Sequence, residues 1–232
     1  MKLSLIGYGK TGIVINTIAS ERNHQIVNII NSKKTLKEFN LNDTICIDFT
    51  SPTAFRKHYK YIAQTCKAAV IGTTGWNDIE EEVINYFSKY DKTLIYSSNF
   101  AFGTNIFFEI VNIASKLISH TTEYDPYILE MHHKEKKDNP SGTAKVICSI
   151  IQDIFSKKIT PSSIRSGWIR GIHEVGYESK VDKISIKHEI YTRKGFAYGA
   201  VIAAEWSNDI NGIWNFRDLW REKFKKLLNE KY

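Results

Sequence analysis

The segment from Glu130 to Ala144 combines proton carriers with a potential anion site. His132 is suited to move a proton, because an imidazole titrates near neutral pH. His133 and Lys136 can supply hydrogen bonds or positive charge to an anionic ligand. The pattern indicates acid–base chemistry on a substrate that carries carboxylates, with His132 as the candidate proton carrier.

Three small residues near the end of this segment begin a predicted helix: Ser141, Gly142 and Thr143. The first amides of a helix have no partner within the helix, and the positive end of the helix dipole favours anions. We therefore expect these residues to bind a carboxylate of the substrate, together with His133.

Two other interpretations of the segment stay open. Neighbouring residues on a strand point to opposite faces, so one of His132 and His133 could simply fill space or bond the backbone. Glu130, the two histidines and Asp138 could also bind zinc, but their spacing matches none of the usual closed zinc sites. We predict no metal.

A glycine-rich turn near the start of the chain predicts a dinucleotide site. The turn follows a short apolar run, opens a helix-like segment, and consists of Gly7, Tyr8, Gly9, Lys10, Thr11 and Gly12. Glycines at this spacing permit a tight turn, close approach of a pyrophosphate and close packing of the helix. An ordinary glycine turn is the alternative.

The end of the predicted second strand lacks the acid that often binds the adenosine ribose of a nicotinamide cofactor. The chain reads Asn31, Ser32, Lys33 and Lys34 at this point. Without a carboxylate to repel a 2'-phosphate, and with these lysines and Lys10 in range, NADPH should be accepted as well as NADH. The alternative is that the lysines only form a solvated loop.

Two further loops after predicted strands are candidates for binding the nicotinamide half of the cofactor. Their residues are Gly72, Thr73 and Thr74 in the first loop, and Ser97, Ser98, Asn99 and Phe100 in the second. Small residues let backbone groups approach the carboxamide and the ribose, and Phe100 could pack on the ring. Ordinary turns are the alternative, since only the position after successive strands favours a cofactor role.

The first hundred residues must position these loops. Short apolar runs alternate there with helix-length amphipathic segments, which is typical of βαβ units around a parallel sheet. Strands are predicted at residues 3–6, 26–30, 44–49, 68–71 and 93–96, and helices at residues 11–20, 53–65 and 78–89. In such a sheet, ligands bind outside the carboxyl ends of the strands.

The pattern changes after residue 96. Helices are predicted at residues 104–117 and 142–155, and residues 168–206 alternate apolar and polar residues, as antiparallel strands do. A last amphipathic helix, residues 216–228, should pack on the first domain. We expect an α/β protein with a Rossmann-like parallel-sheet domain (1–101 plus 209–232). Residues 102–208 should form an α+β domain with a mixed or antiparallel sheet, for substrate binding.

Composition and charge narrow the function classes. Lys and Arg number 32 against 25 Asp and Glu, which gives a net charge of +7. The basic residues are scattered, without a lysine-rich arm or zinc-finger spacing, so anionic small molecules are favoured over nucleic acid as partners. No export signal, membrane-spanning stretch or CxxC pair is visible, and a cytoplasmic protein with reduced cysteines is expected.

Together these motifs resemble the dihydrodipicolinate reductase family, also called 4-hydroxy-tetrahydrodipicolinate reductase. The resemblance rests on the string from Glu130 to Ala144, on the GTTG and SNF loops in their expected order, and on residues 48–52, 171–176 and 188–199. It spans nearly the whole chain. It implies the reduction of dihydrodipicolinate, or its hydroxylated precursor, with NADH or NADPH on the route to diaminopimelate and lysine.

The resemblance also implies roles for individual residues. His132 corresponds to the family's proton donor or acceptor, and Lys136 to its proton donor. His133, Gly142 and Thr143 correspond to substrate-binding positions. Family members are usually homotetramers built through the sheet of the central domain.

Two departures and two competing functions remain. Asn31 and Ser32 differ from the family pattern at the ribose, and Gly9 to Gly12 match the family better than Gly7 does. An aspartate or homoserine dehydrogenase-like enzyme would share the cofactor domain but lack the His-His-Lys string. A redox-sensing regulator would bind NAD(P)H without chemistry and use its positive charge on nucleic acid.

Overall fold

The computed structural model describes residues 1–33, 35–121 and 123–229, with side chains up to Lys225 in the last helix; Lys34 lies outside these ranges. The chain forms two compact units. Residues 1–101 and the chain from Arg193 onward form the first, and Phe102–Thr192 forms the second. The chain therefore returns to the first unit at Arg193 rather than at the expected residue 209. Within the described ranges, no helix is both long and apolar enough to span a membrane.

The first unit is built on a parallel sheet with six strands among the described residues. The strands are β1 (Lys2–Ile6), β2 (Gln25–Ile30), β3 (Ile45–Asp48), β4 (Ala68–Ile71), β5 (Thr93–Tyr96) and β10 (Ile213–Asn215). They lie in the order β10-β5-β4-β3-β1-β2. The expected parallel sheet is confirmed, and the chain order reverses beside β1, where a crevice for ligands forms.

Helices of the first unit follow most of these strands. They are α1 (Lys10–Glu21), α2 (Pro52–Thr65), α3 (Glu80–Lys89), α6 (Lys194–Trp206) and α7 (Phe216–Asn229). Helix α2 shows how the sequence begins a helix. Ser51 Oγ accepts a hydrogen bond from Ala54 N at 3.2 Å, and Pro52 occupies the first helical position. Its inner face buries Phe55 and Ile62 in the core of the unit.

Residues 194–206 form helix α6, so the prediction of strands up to residue 206 is wrong. Most of the helix is buried, including Ala197 and residues 199–204. It packs against α1 and against strands β3 and β4. A helix buried on nearly all sides lacks the polar stripe that reveals a helical period, which explains the error.

The second unit packs two helices against a mixed four-stranded sheet. Its elements are α4 (Phe102–Ile118), β6 (Asp125–His132), α5 (Gly142–Phe155), β7 (Ser162–Arg165), β8 (Ile172–Glu178) and β9 (Lys183–Glu189). The strands lie in the order β7-β6-β8-β9, with β7 parallel to β6 and the other pairs antiparallel. The expected mixed sheet is confirmed. Phe107, Ile147 and Val175 belong to the core that joins helices and sheet.

Two glycines of α6 allow a test of its close packing. A Cβ at Gly199 would lie 1.7 Å from the Phe100 carbonyl oxygen, whereas a Cβ at Gly195 would lie 3.6 Å from the Ala101 Cβ. G199A should lower the free energy of unfolding by about 1–3 kcal/mol, because the backbone must move. G195A should be neutral or stabilising by up to about 1 kcal/mol, since alanine favours a helix. Urea denaturation measures both, and equal values would contradict the packing described.

Candidate active site

Glu130 and His132 lie on the same buried face of β6. Alternate residues of this strand are buried, as expected where one face of a sheet carries helices. Glu130 is fully buried and His132 is 7% exposed. The Oε2 atom of Glu130 lies 2.5 Å from Nδ1 of His132. The two residues therefore form a hydrogen-bonded carboxylate–imidazole pair inside the unit.

Arg165 compensates the charge of the buried carboxylate. It pairs with His132 in the register of β7 and β6, and its Nη2 donates to Glu130 Oε1 at 2.6 Å. The same nitrogen donates to the carbonyl oxygen of Asp138 at 2.8 Å. Burial alone would raise the pKa of Glu130, but the hydrogen bonds from Arg165 and Ser163 and the nearby positive charge together outweigh it, and the pKa falls to about 2. Glu130 is therefore ionised at neutral pH.

His173 joins this cluster from β8, where it is paired with Glu130. Its ring lies edge-on to that of His132, with 5.2 Å between the ring centroids. Burial lowers the pKa of His173 to about 3. Burial also lowers the pKa of His132, although the charge of Glu130 opposes this shift. Both imidazoles are therefore uncharged at neutral pH.

The start of α5 adjoins the same cluster. Ser141 caps the helix: its Oγ accepts from Ala144 N at 3.2 Å and lies 3.0 Å from His173 Nε2, and its own amide donates to Glu130 Oε1 at 3.4 Å. Since Ser141 is 2% exposed, its hydroxyl holds the helix start rather than facing a ligand. Gly142 is exposed, and a Cβ there would meet nothing within 4 Å. The first amides of the helix, at Gly142 and Thr143, remain to bind an anion.

Lys136 and His133 lie in the loop that joins β6 to α5. Both are half-buried, and the Lys136 backbone amide donates to the His133 carbonyl oxygen at 3.1 Å. The Lys136 Nζ lies 2.7 Å from Asp138 Oδ1. Besides burial, the positive charge of Lys136 contributes to the low pKa of His132. The ammonium therefore acts electrostatically on the same group that the sequence proposes as a proton carrier.

A metal is disfavoured at this cluster, although Glu130, His132 and His173 bring three potential ligand atoms within 4.8 Å of one another. The set differs from the one considered from the sequence, which included His133 and Asp138. Arg165 places a permanent positive charge 2.6 Å from Glu130. Such a charge repels a dication, so these residues fit an ion-paired acid–base site better than a metal centre.

A cavity of about 730 Å³ opens in the first unit at the carboxyl ends of β1, β2 and β3. The glycine turn forms part of its wall. Gly7 has a φ of +91°, and a Cβ at Gly12 would lie 2.1 Å from the Gly7 carbonyl oxygen. A Cβ at Gly9 would meet nothing within 4 Å, and no side chain caps the helix that begins after it. This open cradle of amides fits the pyrophosphate of a dinucleotide.

Some of the other predicted cofactor residues line this cavity and others do not. Tyr8 and Asn31 line it, whereas Lys10 and Thr11 lie in the first turn of α1 without lining it. Lys33 is exposed outside the cavity wall. Cationic groups come instead from Lys37 and Lys57, which the sequence did not single out, and the His58 ring also lines the cavity. Among the described lining residues there is no Asp or Glu.

Asp48, at the end of β3, ties together the loops that follow β3 and β4. It is fully buried, and its Oδ1 accepts from Thr73 Oγ1 at 2.6 Å and from Thr50 N at 3.0 Å. Its Oδ2 lies 2.7 Å from His58 Nε2 on α2. Thr73 is 4% exposed, so its side chain serves this network. In the same loop, a Cβ at Gly72 would lie 2.2 Å from the Phe49 ring, and Thr74 is exposed.

Phe100 is a core residue, so the expectation that it packs on a cofactor ring is wrong. It is 1% exposed, and its ring centroid lies 4.8 Å from that of Phe216. The rest of the loop is held by its own polar groups. Asn99 N donates to Ser97 Oγ at 3.0 Å and Ala101 N donates to Asn99 Oδ1 at 2.9 Å, while Ser98 is exposed.

Sequence reasoning missed Arg165 and His173. They become neighbours of Glu130 only because β7 and β8 pair with β6, and strand partners are not written in local sequence. The sequence did contain a signal for Glu130: it lies two residues before His132 on a predicted strand, and residues two apart on a strand share a face. Sequence patterns also did not single out the cavity lysines: Lys57 lies on α2 and Lys37 in the segment between β2 and β3, away from the strand ends where such ligands are expected.

The fold and the two sites are typical of one class, the two-domain oxidoreductases that use a nicotinamide cofactor. Sequence families described as dihydrodipicolinate reductase, N-terminus and C-terminus, match residues 1–100 and 103–220. The chain belongs to the dihydrodipicolinate reductase family.

Relatives agree with this assignment. The 4-hydroxy-tetrahydrodipicolinate reductase of Christiangramia forsetii is 35% identical over 240 aligned positions, which cover 97% of this chain and 100% of the relative. The enzyme of the same name from Wigglesworthia glossinidia brevipalpis is 35% identical over 228 positions, covering 94% of this chain and 85% of the relative.

Solved structures show the same fold. The dipicolinate-bound dihydrodipicolinate reductase from Paenisporosarcina sp. TG-14 has a TM-score of 0.76 at 18% identity, covering 94% of this chain and 98% of the other. Aspartate dehydrogenase from Thermotoga maritima has a TM-score of 0.51 at 14% identity, covering 88% and 95%. At these identities both likenesses show the fold alone.

The depressed pKa of His173 predicts how stability depends on pH. The pKa falls from 6.5 to about 3 in the folded state, so the unfolded chain binds the extra proton, and stability is lost as pH falls below 6.5. The carboxyl of Glu130, with an ordinary value of 4.5, contributes only at lower pH. The free energy of unfolding should therefore decrease between pH 6.5 and 4.5.

In H173Q the slope should be shallower by up to about 1.4 kcal/mol per pH unit. Urea denaturation across this range measures the slope, and H120Q, at an exposed histidine, is the matched control. An identical slope in H173Q and the unaltered protein would contradict a buried, neutral His173.

Proposed function

We propose that the chain reduces 4-hydroxy-tetrahydrodipicolinate, or its dehydrated form dihydrodipicolinate, to tetrahydrodipicolinate with NAD(P)H. This reaction belongs to diaminopimelate and lysine biosynthesis, and a cytoplasmic location accords with it. One observation carries the proposal: a buried Glu130–His132 pair adjoins the open start of α5. Membership of the family along both of its parts supports it.

Substrate binding is assigned to the loop and helix start of the second unit. The amides of Gly142 and Thr143 bind one carboxylate of the cyclic substrate, and His133 and Lys136 bind the other. Ser141 contributes by capping α5 and so orienting these amides. This arrangement suits a dicarboxylate, because a helix start and an ammonium are each able to neutralise one negative charge.

Proton transfer is assigned to His132 and Lys136. When bound, a nicotinamide cofactor would supply the hydride. The Lys136 ammonium would donate the proton that relieves the negative charge on the substrate, and the neutral His132 would assist this transfer as a base. His132 is suited to exchange protons because it is uncharged at neutral pH and is held by an ionised carboxylate.

K136A should lower kcat by about 100- to 10,000-fold, because a positioned proton donor contributes a factor of this size. Cofactor affinity should stay within about twofold, since Lys136 lies in the other unit from the cofactor cavity. K137A, at the exposed neighbouring lysine, is the control and should keep the unaltered rate. Steady-state kinetics decides, and an unchanged kcat in K136A would refute the assignment.

The function itself is tested by mixing the protein with NADPH and the freshly made product of the preceding synthase reaction. Loss of the reduced-nicotinamide absorbance supports the proposal. Turnover only with aspartate or a semialdehyde would favour an aspartate or homoserine dehydrogenase-like enzyme. Cofactor binding without turnover, together with salt-sensitive DNA binding, would favour a regulator.

NADPH is the preferred cofactor in this proposal. Lys37 and Lys57 line the cavity beside Asn31, and no carboxylate lies among the described residues of its wall. A 2'-phosphate at the adenosine ribose would therefore meet positive charge and no repulsion.

K57A should accordingly raise the KM for NADPH by about 10-fold or more, the size expected for a hydrogen bond to a charged group. The KM for NADH should change little, because NADH lacks the 2'-phosphate. K33A is the matched control, since Lys33 is exposed outside the cavity. An equal change for both cofactors in K57A would contradict a phosphate-binding role.

The proposal includes a homotetramer formed through the sheet of the second unit. The face of this sheet that its helices leave uncovered carries apolar side chains. Leu129, Met131 and Ile172 are half-buried there, and Ile164 is 42% exposed. Contiguous apolar surface of this kind is typical of a subunit interface.

A further inference from the structure

We propose that Glu130 is a positioning residue for the reaction. It holds the proton of His132 on Nδ1 and leaves Nε2 as the atom that exchanges a proton, and Arg165 keeps Glu130 in the state that does so. The kinetic part of this inference rests on the proposed function, whereas the position of the proton on His132 does not.

The hydrogen bond itself assigns the proton. An ionised carboxylate only accepts hydrogen bonds, and a neutral imidazole carries its proton on one nitrogen. Because Glu130 Oε2 lies 2.5 Å from His132 Nδ1, that nitrogen is the donor. The lone pair is then on Nε2. This atom lies 3.2 Å from the position that a Cβ at Gly171 would take, so the glycine leaves space next to it.

Arg165 prevents the opposite tautomer of His132 by keeping Glu130 ionised. A protonated Glu130 could donate to Nδ1 and reverse the tautomer, so the carboxyl must stay ionised. The guanidinium, which does not lose its proton in proteins, lies 2.6 Å from Oε1 and supplies that condition. Among the described residues, the remaining titratable groups near the ring are Lys136 and the neutral His173, and neither bonds Nδ1.

The same guanidinium links the pair to the substrate loop. Its Nη2 also donates to the Asp138 carbonyl oxygen at 2.8 Å, and the Asp138 side chain lies 2.7 Å from the Lys136 ammonium. One residue therefore fixes both proposed proton carriers, His132 through Glu130 and Lys136 through Asp138.

The first test measures the tautomer directly. Protein labelled with ¹⁵N-histidine is examined by NMR near pH 8 without substrate. We expect the His132 resonances, assigned by comparison with H132Q, to show a protonated Nδ1 and an unprotonated Nε2. In E130Q the amide can accept or donate, so a population with the proton on Nε2 should appear. A wild-type ring protonated on Nε2 overturns the proposal, whatever reaction the protein catalyses.

The second test is kinetic. E130Q should lower kcat by about 100-fold with KM within about twofold, as loss of a correctly protonated base would. E174Q, on the neighbouring strand where Glu174 accepts a hydrogen bond from Tyr127, is the control and should keep the unaltered rate. An unaltered kcat in E130Q would contradict the role.

A double-mutant cycle separates positioning from general structural damage. If Glu130 acts through His132, E130Q should reduce kcat no further in the H132Q background. An equal loss in both backgrounds would show that Glu130 only supports the fold, which overturns the proposal. If E130Q fails to fold, the NMR measurement of the His132 tautomer in the unaltered protein still tests the proposal.

Discussion

The negative charge of Glu130 is the constraint on which the second unit depends. A fully buried carboxylate costs on the order of several kcal/mol unless it is paired and hydrogen-bonded. A guanidinium from β7, an imidazole from β6 and an amide from the start of α5 satisfy it. These bonds require the register that sets Arg165 beside His132, and they draw Ser141 against the strand. Arg165 of β7, the start of α5 and the His132 ring therefore all contact the same carboxylate.

The first unit uses a buried acid in a comparable way. Asp48 closes β3 and accepts hydrogen bonds from the loop after its own strand, through Thr50, and from the loop after β4, through Thr73. His58 on α2 bonds the other oxygen. A buried carboxylate that accepts several hydrogen bonds holds these loops in a fixed shape around the cavity. The acid itself stays out of the cavity wall, which is lined by lysine and histidine instead.

The positively charged residues are scattered in the sequence, and only the folded chain shows which of them lie at the two sites. Arg165 is neutralised by Glu130, and both buried histidines of the cluster are uncharged, so they add no net charge to the site. In the proposed function, anions are attracted by Lys136 and the start of α5 in one unit, and by Lys57 in the other. The Lys136 ammonium then supplies the proton that the anionic substrate must gain.

The sequence by itself determined the parallel sheet, the helix starts, the glycine turn and the segment that holds His132 and Lys136. Those features depend on local periodicity and on residues close together in the chain, and the family resemblance followed from them. Only the tertiary structure decided which residues surround Glu130, that Phe100 is core, and that Ser141 caps a helix. It also decided that residues 194–206 are helical. Strand pairing and burial are contacts between distant segments, set by packing against the rest of the chain, so no local pattern encodes them.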